Sequence, residues 1–72
     1  MDLYKESRIE GDFEGFGGDK VYELVDGSRW EQVRYKYRYR YRYRPIVKIW
    51  KDGSRFYLDV ECMDEKIEVR RA

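Results

Sequence analysis

The sequence predicts an all-β fold, and three observations carry that reading. Apolar and polar residues alternate with a period of two over most of the chain. Asp26-Gly27 and Asp52-Gly53 interrupt the alternation where tight hairpin turns would fall, a type I′ turn being the usual form. Aromatic residues make up 18% of the chain, with eight tyrosines, a residue that favours strands.

Taken in order, residues 1–7 carry little pattern and are expected to form a flexible N-terminus or an edge extension, leaving 8–72 as a single β-barrel domain. From Arg8 to Glu14 the alternation is regular: Ile9, Gly11 and Phe13 share one face, and Arg8, Glu10, Asp12 and Glu14 share the other. Gly15-Phe16-Gly17-Gly18-Asp19 reads as a loop. Val21–Val25 is a second strand. A third leaves the Asp26-Gly27 turn at Arg29 and runs to Arg44, where Pro45 stops it. Ile46–Trp50 and Arg55–Cys62 form a hairpin about Asp52-Gly53. After a turn at Met63-Asp64-Glu65, Lys66–Arg70 is the last strand.

The third strand is too long for the body that carries it. From Trp30 to Arg44 it would extend about 50 Å at ~3.3 Å per residue, while a globule of this size is only about 25 Å across. It must bend at a bulge or project onto another chain. The phase favours a bend, because Trp30 is even-numbered whereas Val33 and Tyr35 to Tyr43 are odd. Five to six short, twisted antiparallel strands with a long bent third strand fit a small SH3-like antiparallel β-barrel.

A chain of 72 residues is one domain. At that size folding removes only about 60% of the unfolded chain's surface from water, so a metal, a disulfide or self-association would help it. One cysteine, Cys62, and no histidine exclude an intrachain disulfide and an ordinary Cys/His zinc site. Association is the remaining aid, and no cofactor is expected. Cys62, in phase with Leu58 and Val60, is expected to be a small buried apolar residue. The lone cysteine fits a reducing compartment, Met1 to Glu6 lack a signal-peptide pattern, and no apolar run could span a bilayer. A cytoplasmic, soluble protein without a membrane partner is expected.

The candidate functional residues lie on the third strand. Tyr35, Tyr37, Tyr39, Tyr41 and Tyr43 line one face, and Arg34, Lys36, Arg38, Arg40, Arg42 and Arg44 line the other. Cations ~7 Å apart repel by about 0.6 kcal/mol per neighbouring pair in water, so the row needs counter-charges. Phosphates could supply them, with tyrosines stacking on bases of single-stranded DNA or RNA. Alternatively the protein supplies them itself, from Glu10, Asp12, Glu14, Asp59, Glu61 and Glu68. The second reading is favoured. Alternation puts rings and guanidinium groups on opposite faces, and 16 basic against 15 acidic residues is no basic surplus. The tyrosine face is expected either to pack inside the barrel or a subunit interface, or to form an open groove for a peptide or cationic ligand. Trp30 and Trp50 are candidate core or interface anchors. The expected partner is therefore a second copy of the chain; the alternatives are single-stranded DNA or RNA bound by the arginine row, which is not favoured, and a host protein docked on the aromatic face.

Catalysis has little support. Histidine is absent, Ser7, Ser28 and Ser54 have no evident base, and Gly15 to Lys20 lack the Gly-Lys-Ser/Thr ending of a phosphate loop. A non-enzymatic binding or assembly module is expected.

The run from Gly11 to Phe16, the segment Gly18 to Gln32 with Leu24, Asp26, Gly27, Trp30 and Gln32 as an LxDGxxWxQ hairpin, the Tyr/Arg strand and Pro45 together resemble a small uncharacterised bacterial protein family. Some of its members are of the sort found on mobile elements. The likeness covers roughly residues 8 to 70. It implies a compact β-domain of bacterial origin and transfers no site.

Overall fold

In a computed structural model describing residues 1–72, the alternating pattern yields eight strands and no helix. They are β1 (Asp2–Arg8), β2 (Asp12–Phe16), β3 (Val21–Glu23), β4 (Arg29–Gln32), β5 (Arg38–Tyr43), β6 (Ile46–Asp52), β7 (Arg55–Val60) and β8 (Lys66–Arg71). All pairings are antiparallel. Six strands form a sheet in the order β1-β6-β7-β8-β4-β3, and β2 pairs with β5 as a second sheet.

The smaller sheet continues the larger one around a corner. The β1–β6 ladder runs to Arg8 opposite Ile46, after which Ile9 N–H donates to Pro45 O at 3.1 Å. Arg44 N–H then donates to Gly11 O at 2.9 Å, and the β2–β5 ladder begins with Asp12 opposite Tyr43. Gly11 at φ 82° and Arg44 at φ 49° make the bend, a conformation that glycine adopts without strain and arginine does not. At the same corner Ile9 bridges Leu24, just beyond β3. Val25 N–H donates to Arg8 O and Glu10 N–H to Glu23 O, at 2.9 and 2.8 Å. These bonds bring the two outer strands of the larger sheet together at one end.

Inward positions assemble a core of 13 buried residues. Val47 and Ile49 on β6, Leu58 and Val60 on β7, and Ile67 and Val69 on β8 face it at the spacing a strand dictates. Cys62 is buried as expected. Phe13 and Phe16, three residues apart, would face opposite ways on a regular strand, yet both are buried. Gly15, at φ 102°, turns the chain between them, and β2 there falls one residue short of β5. A Cβ at Gly15 would lie 1.9 Å from Arg38 O, so only glycine fits.

Several sequence expectations need correcting. Residues 1–7 are an edge extension and not a flexible end: Asp2–Arg8 form β1, the edge strand of the larger sheet, paired along β6, and Tyr4 packs edge-on against Phe56 with ring centroids 5.0 Å apart. The strand carries little pattern because its residues are mostly polar, and its partners on β6 lie 38–49 residues further along the chain. There are eight strands where five to six were expected, because residues 2–7 add β1 and a corner divides the long third strand into β4 and β5. Gly15 and Phe16 belong to β2 rather than to a loop. The Asp26-Gly27 turn is wider than a two-residue hairpin, spanning Leu24 to Ser28. Asp26 Oδ1 accepts both the Ser28 N–H at 2.9 Å and its hydroxyl at 2.7 Å. At Gly53-Ser54 the turn is the two-residue kind, with positive φ only at Gly53, the type II′ pattern.

Candidate functional site

The long third strand bends, and a single amide organises the bend. Gln32 ends β4 in phase with Trp30 and is therefore carried inward, where it is only 6% exposed. Its Oε1 accepts from Gly17 N–H at 3.2 Å and from the Tyr22 hydroxyl at 2.9 Å. Its Nε2 donates to Arg34 O at 2.8 Å and to Lys36 O at 3.3 Å. All of the amide's capacity is used, which is what burial of a polar group requires. The two carbonyl bonds hold Val33–Tyr37 as a corner between β4 and β5. Burial also pushes the Tyr22 hydroxyl pKa up, keeping it a neutral donor.

From the corner onward the arginine row runs antiparallel to the segment Glu61–Glu68. Only Val33 N–H, bonded to Glu68 O at 3.0 Å, makes a backbone link there. Ion pairs continue the contact: Arg34 with Glu68 at 3.8 Å, Lys36 with Glu65 at 2.7 Å, Arg38 with Asp64 at 3.2 Å and Arg42 with Glu61 at 3.9 Å. The seam exists because Arg42 and Arg38 lie opposite Phe13 and Phe16 in the β2–β5 ladder, which turns them to the inner face. Glu61 and Glu68 were among the expected counter-charges. Asp64 and Glu65 were not, having been read as turn residues. Asp59 instead accepts from Trp50 Nε1 at 3.1 Å, and Asp12 accepts from the Tyr41 hydroxyl at 2.8 Å. Glu10 and Glu14 pair with no cation in the chain.

Two members of the row stand apart. Arg40 has no ion pair. Arg44 is half-buried and serves the corner through its backbone, its carbonyl accepting from Arg8 Nη1 at 3.0 Å.

On β5, Tyr39, Tyr41 and Tyr43 face the other way, whereas Tyr35 and Tyr37 belong to the corner, with Tyr35 lining a shallow pocket beside Arg34, Lys36 and Glu68. Tyr35, Tyr37, Tyr39, Tyr41 and Tyr43 are 52–76% exposed, so none packs into the interior of its own chain. Acidic residues accompany them, with Asp12 opposite Tyr43 and bonded to Tyr41. The bond to Asp12 raises the Tyr41 pKa, and the charge of Glu14 adds a smaller push in the same direction. Asp12, Glu14, Glu10 and Glu23 also line a cleft of about 180 Å³ beside β2, with Lys20.

The tryptophans divide. Trp30 is fully buried, so it belongs to the core and not to an interface, with Nε1–H donating to Ser28 Oγ at 3.0 Å. Trp50 is half-buried on the outside of the sheet, with Lys66 Nζ 6.0 Å from its ring. Sequence reasoning also missed a tie between β1 and the first turn, where Lys5 Nζ lies 2.7 Å from Asp26 Oδ2. Donors from Lys5 and Ser28 hold the Asp26 carboxyl well below the usual carboxylate range.

No protein-family model matches the chain, and comparison with curated proteins and with solved structures returns no match either.

Proposed function

We propose that this chain is a non-enzymatic binding and assembly module, an SH3-like barrel whose working surface is the tyrosine face of Tyr35–Tyr43. The carrying observation is that five neighbouring tyrosines are each at least half exposed while a full set of apolar residues fills the core. Tyrosine is enriched where binding energy concentrates, because its ring buries well and its hydroxyl remains satisfied at a wet rim. The barrel reading is supported by the Ile9–Leu24 bridge, which draws the outer strands of the six-stranded sheet together. The family resemblance supports bacterial origin, and the cytoplasm is the proposed compartment. No helix in the chain is long and apolar enough to cross a membrane.

Self-association through the Tyr/Arg strand rests on the tyrosine face rather than on strand length, since the corner at Gln32 already fits the run into a body of 30 × 24 × 22 Å. Sedimentation velocity across micromolar concentrations tests it. A reversible dimer that Tyr39→Ser with Tyr43→Ser abolishes is expected, and a wild-type monomer throughout would remove the assembly part of the proposal. Nucleic-acid binding by Arg34, Lys36, Arg38, Arg40, Arg42 and Arg44 is less well supported, because four of these cations already have carboxylates within 4.0 Å.

A further inference from the structure

We propose that the outer face of the β2–β5 sheet, where Tyr39, Tyr41 and Tyr43 stand beside Asp12 and Glu14, docks an extended peptide bearing lysine or arginine at every second position. The inference rests on the tyrosine face being the working surface and adds the chemistry of what it takes.

Three features select a cation. The first is leftover charge. Glu61, Asp64, Glu65 and Glu68 are consumed by the seam, whereas Glu10, Asp12, Glu14 and Glu23 have no ion pair in the chain. All four line the cleft beside β2, where Lys20 is the one base. The cleft beside β2 is therefore acidic although the whole chain carries a net charge of +1, and Asp12 and Glu14 bring that charge to the edge of the tyrosines.

The second is the rings. An exposed tyrosine face attracts a positive group through its quadrupole, and a neighbouring carboxylate strengthens the attraction while repelling phosphate. Rings and carboxylates are interleaved here: Asp12 is held by the Tyr41 hydroxyl and lies opposite Tyr43.

The third is spacing. Side chains on one face of a strand repeat at ~7 Å, and so do alternate side chains of an extended ligand. The ladder is irregular between Tyr39 and Arg42, where β5 has one residue more than β2. A peptide lying along β5 therefore sets alternate cations near Tyr39, Tyr41 and Tyr43 in approximate register, which the long flexible stems of lysine and arginine accommodate.

Fluorescence anisotropy of a labelled peptide alternating lysine and threonine tests this at low salt, beside an alternating glutamate–threonine peptide and a single-stranded oligonucleotide. The lysine peptide should bind, weaken with added salt, and weaken about tenfold in Asp12→Asn with Glu14→Gln and in Tyr39→Leu with Tyr43→Leu. All four positions are exposed apart from the Asp12–Tyr41 contact, and a thermal melt checks that each variant folds. Arg40→Gln should bind as tightly as the parent. Binding of the glutamate peptide or the oligonucleotide in preference, or lysine-peptide binding indifferent to both double variants, would overturn the proposal. If the lysine peptide fails to bind while sedimentation shows a dimer that the tyrosine variants abolish, the cationic ligand is wrong and the assembly surface stands.

Discussion

Gln32 makes four hydrogen bonds from a buried position that a leucine could fill by volume. Gln32→Leu would leave the buried Gly17 N–H without its acceptor and release the Arg34 and Lys36 carbonyls that define the corner. A loss of about 2 kcal/mol is expected, read as a fall in melting temperature of about 10 °C. Asp26 provides a second test, through pH. Its carboxyl has a lower pKa folded than unfolded, so it stabilises the fold above the unfolded value of ~3.9. That contribution is lost as pH falls through the lower folded value. Asp26→Asn should therefore lower the melting temperature by a few degrees at neutral pH and flatten its decline in acid. The effect is small because the Lys5–Asp26 pair is partly open to solvent.

At the scale of elements, the seam between the arginine row and Glu61–Glu68 does by side chains what a backbone ladder does elsewhere in the sheet. Each pair is substantially exposed, so none is strong alone. A double-mutant cycle on Arg38→Gln and Asp64→Asn should give a coupling of about 0.5 kcal/mol that shrinks in high salt. A value of several kcal/mol would mean the pair is far less hydrated than its exposure indicates. The carboxylates of the seam relieve the mutual repulsion of the row and tie β5 to the segment Glu61–Glu68, with Tyr39, Tyr41 and Tyr43 on the opposite face of the strand.

For the whole molecule, the division into two sheets predicts unequal stability. β6, β7 and β8 each have pairing strands on both sides, whereas β5 is bonded only to β2 and buries none of its side chains. Hydrogen exchange should show β5 amides opening more readily than those of β6 and β7. Equal protection throughout would argue that the two sheets unfold as one. A surface on the less protected strand can adjust to a partner at small cost to the core, which suits a docking role.

The alternation of residues, the Asp-Gly turns and the Tyr/Arg run determined by themselves that this chain is all-β, that Cys62 is inside, and that rings and guanidinium groups part company across one strand. These are local properties, fixed by the two-residue period and by turn chemistry. Trp30 and Gln32 sharing a phase already hinted at a buried amide, but its partners Tyr22 and Gly17 come together only when the sheet forms. Likewise β1 carries too little pattern to tell a flexible end from an edge strand, because its stability comes from β6, and Asp64 and Glu65 look like ordinary turn residues until folding sets them beside Arg38 and Lys36. Which carboxylates neutralise the arginines, and which are left beside the tyrosines, was decided by tertiary structure alone. Charge pairing depends on distances through space, and period and spacing along the chain do not encode them.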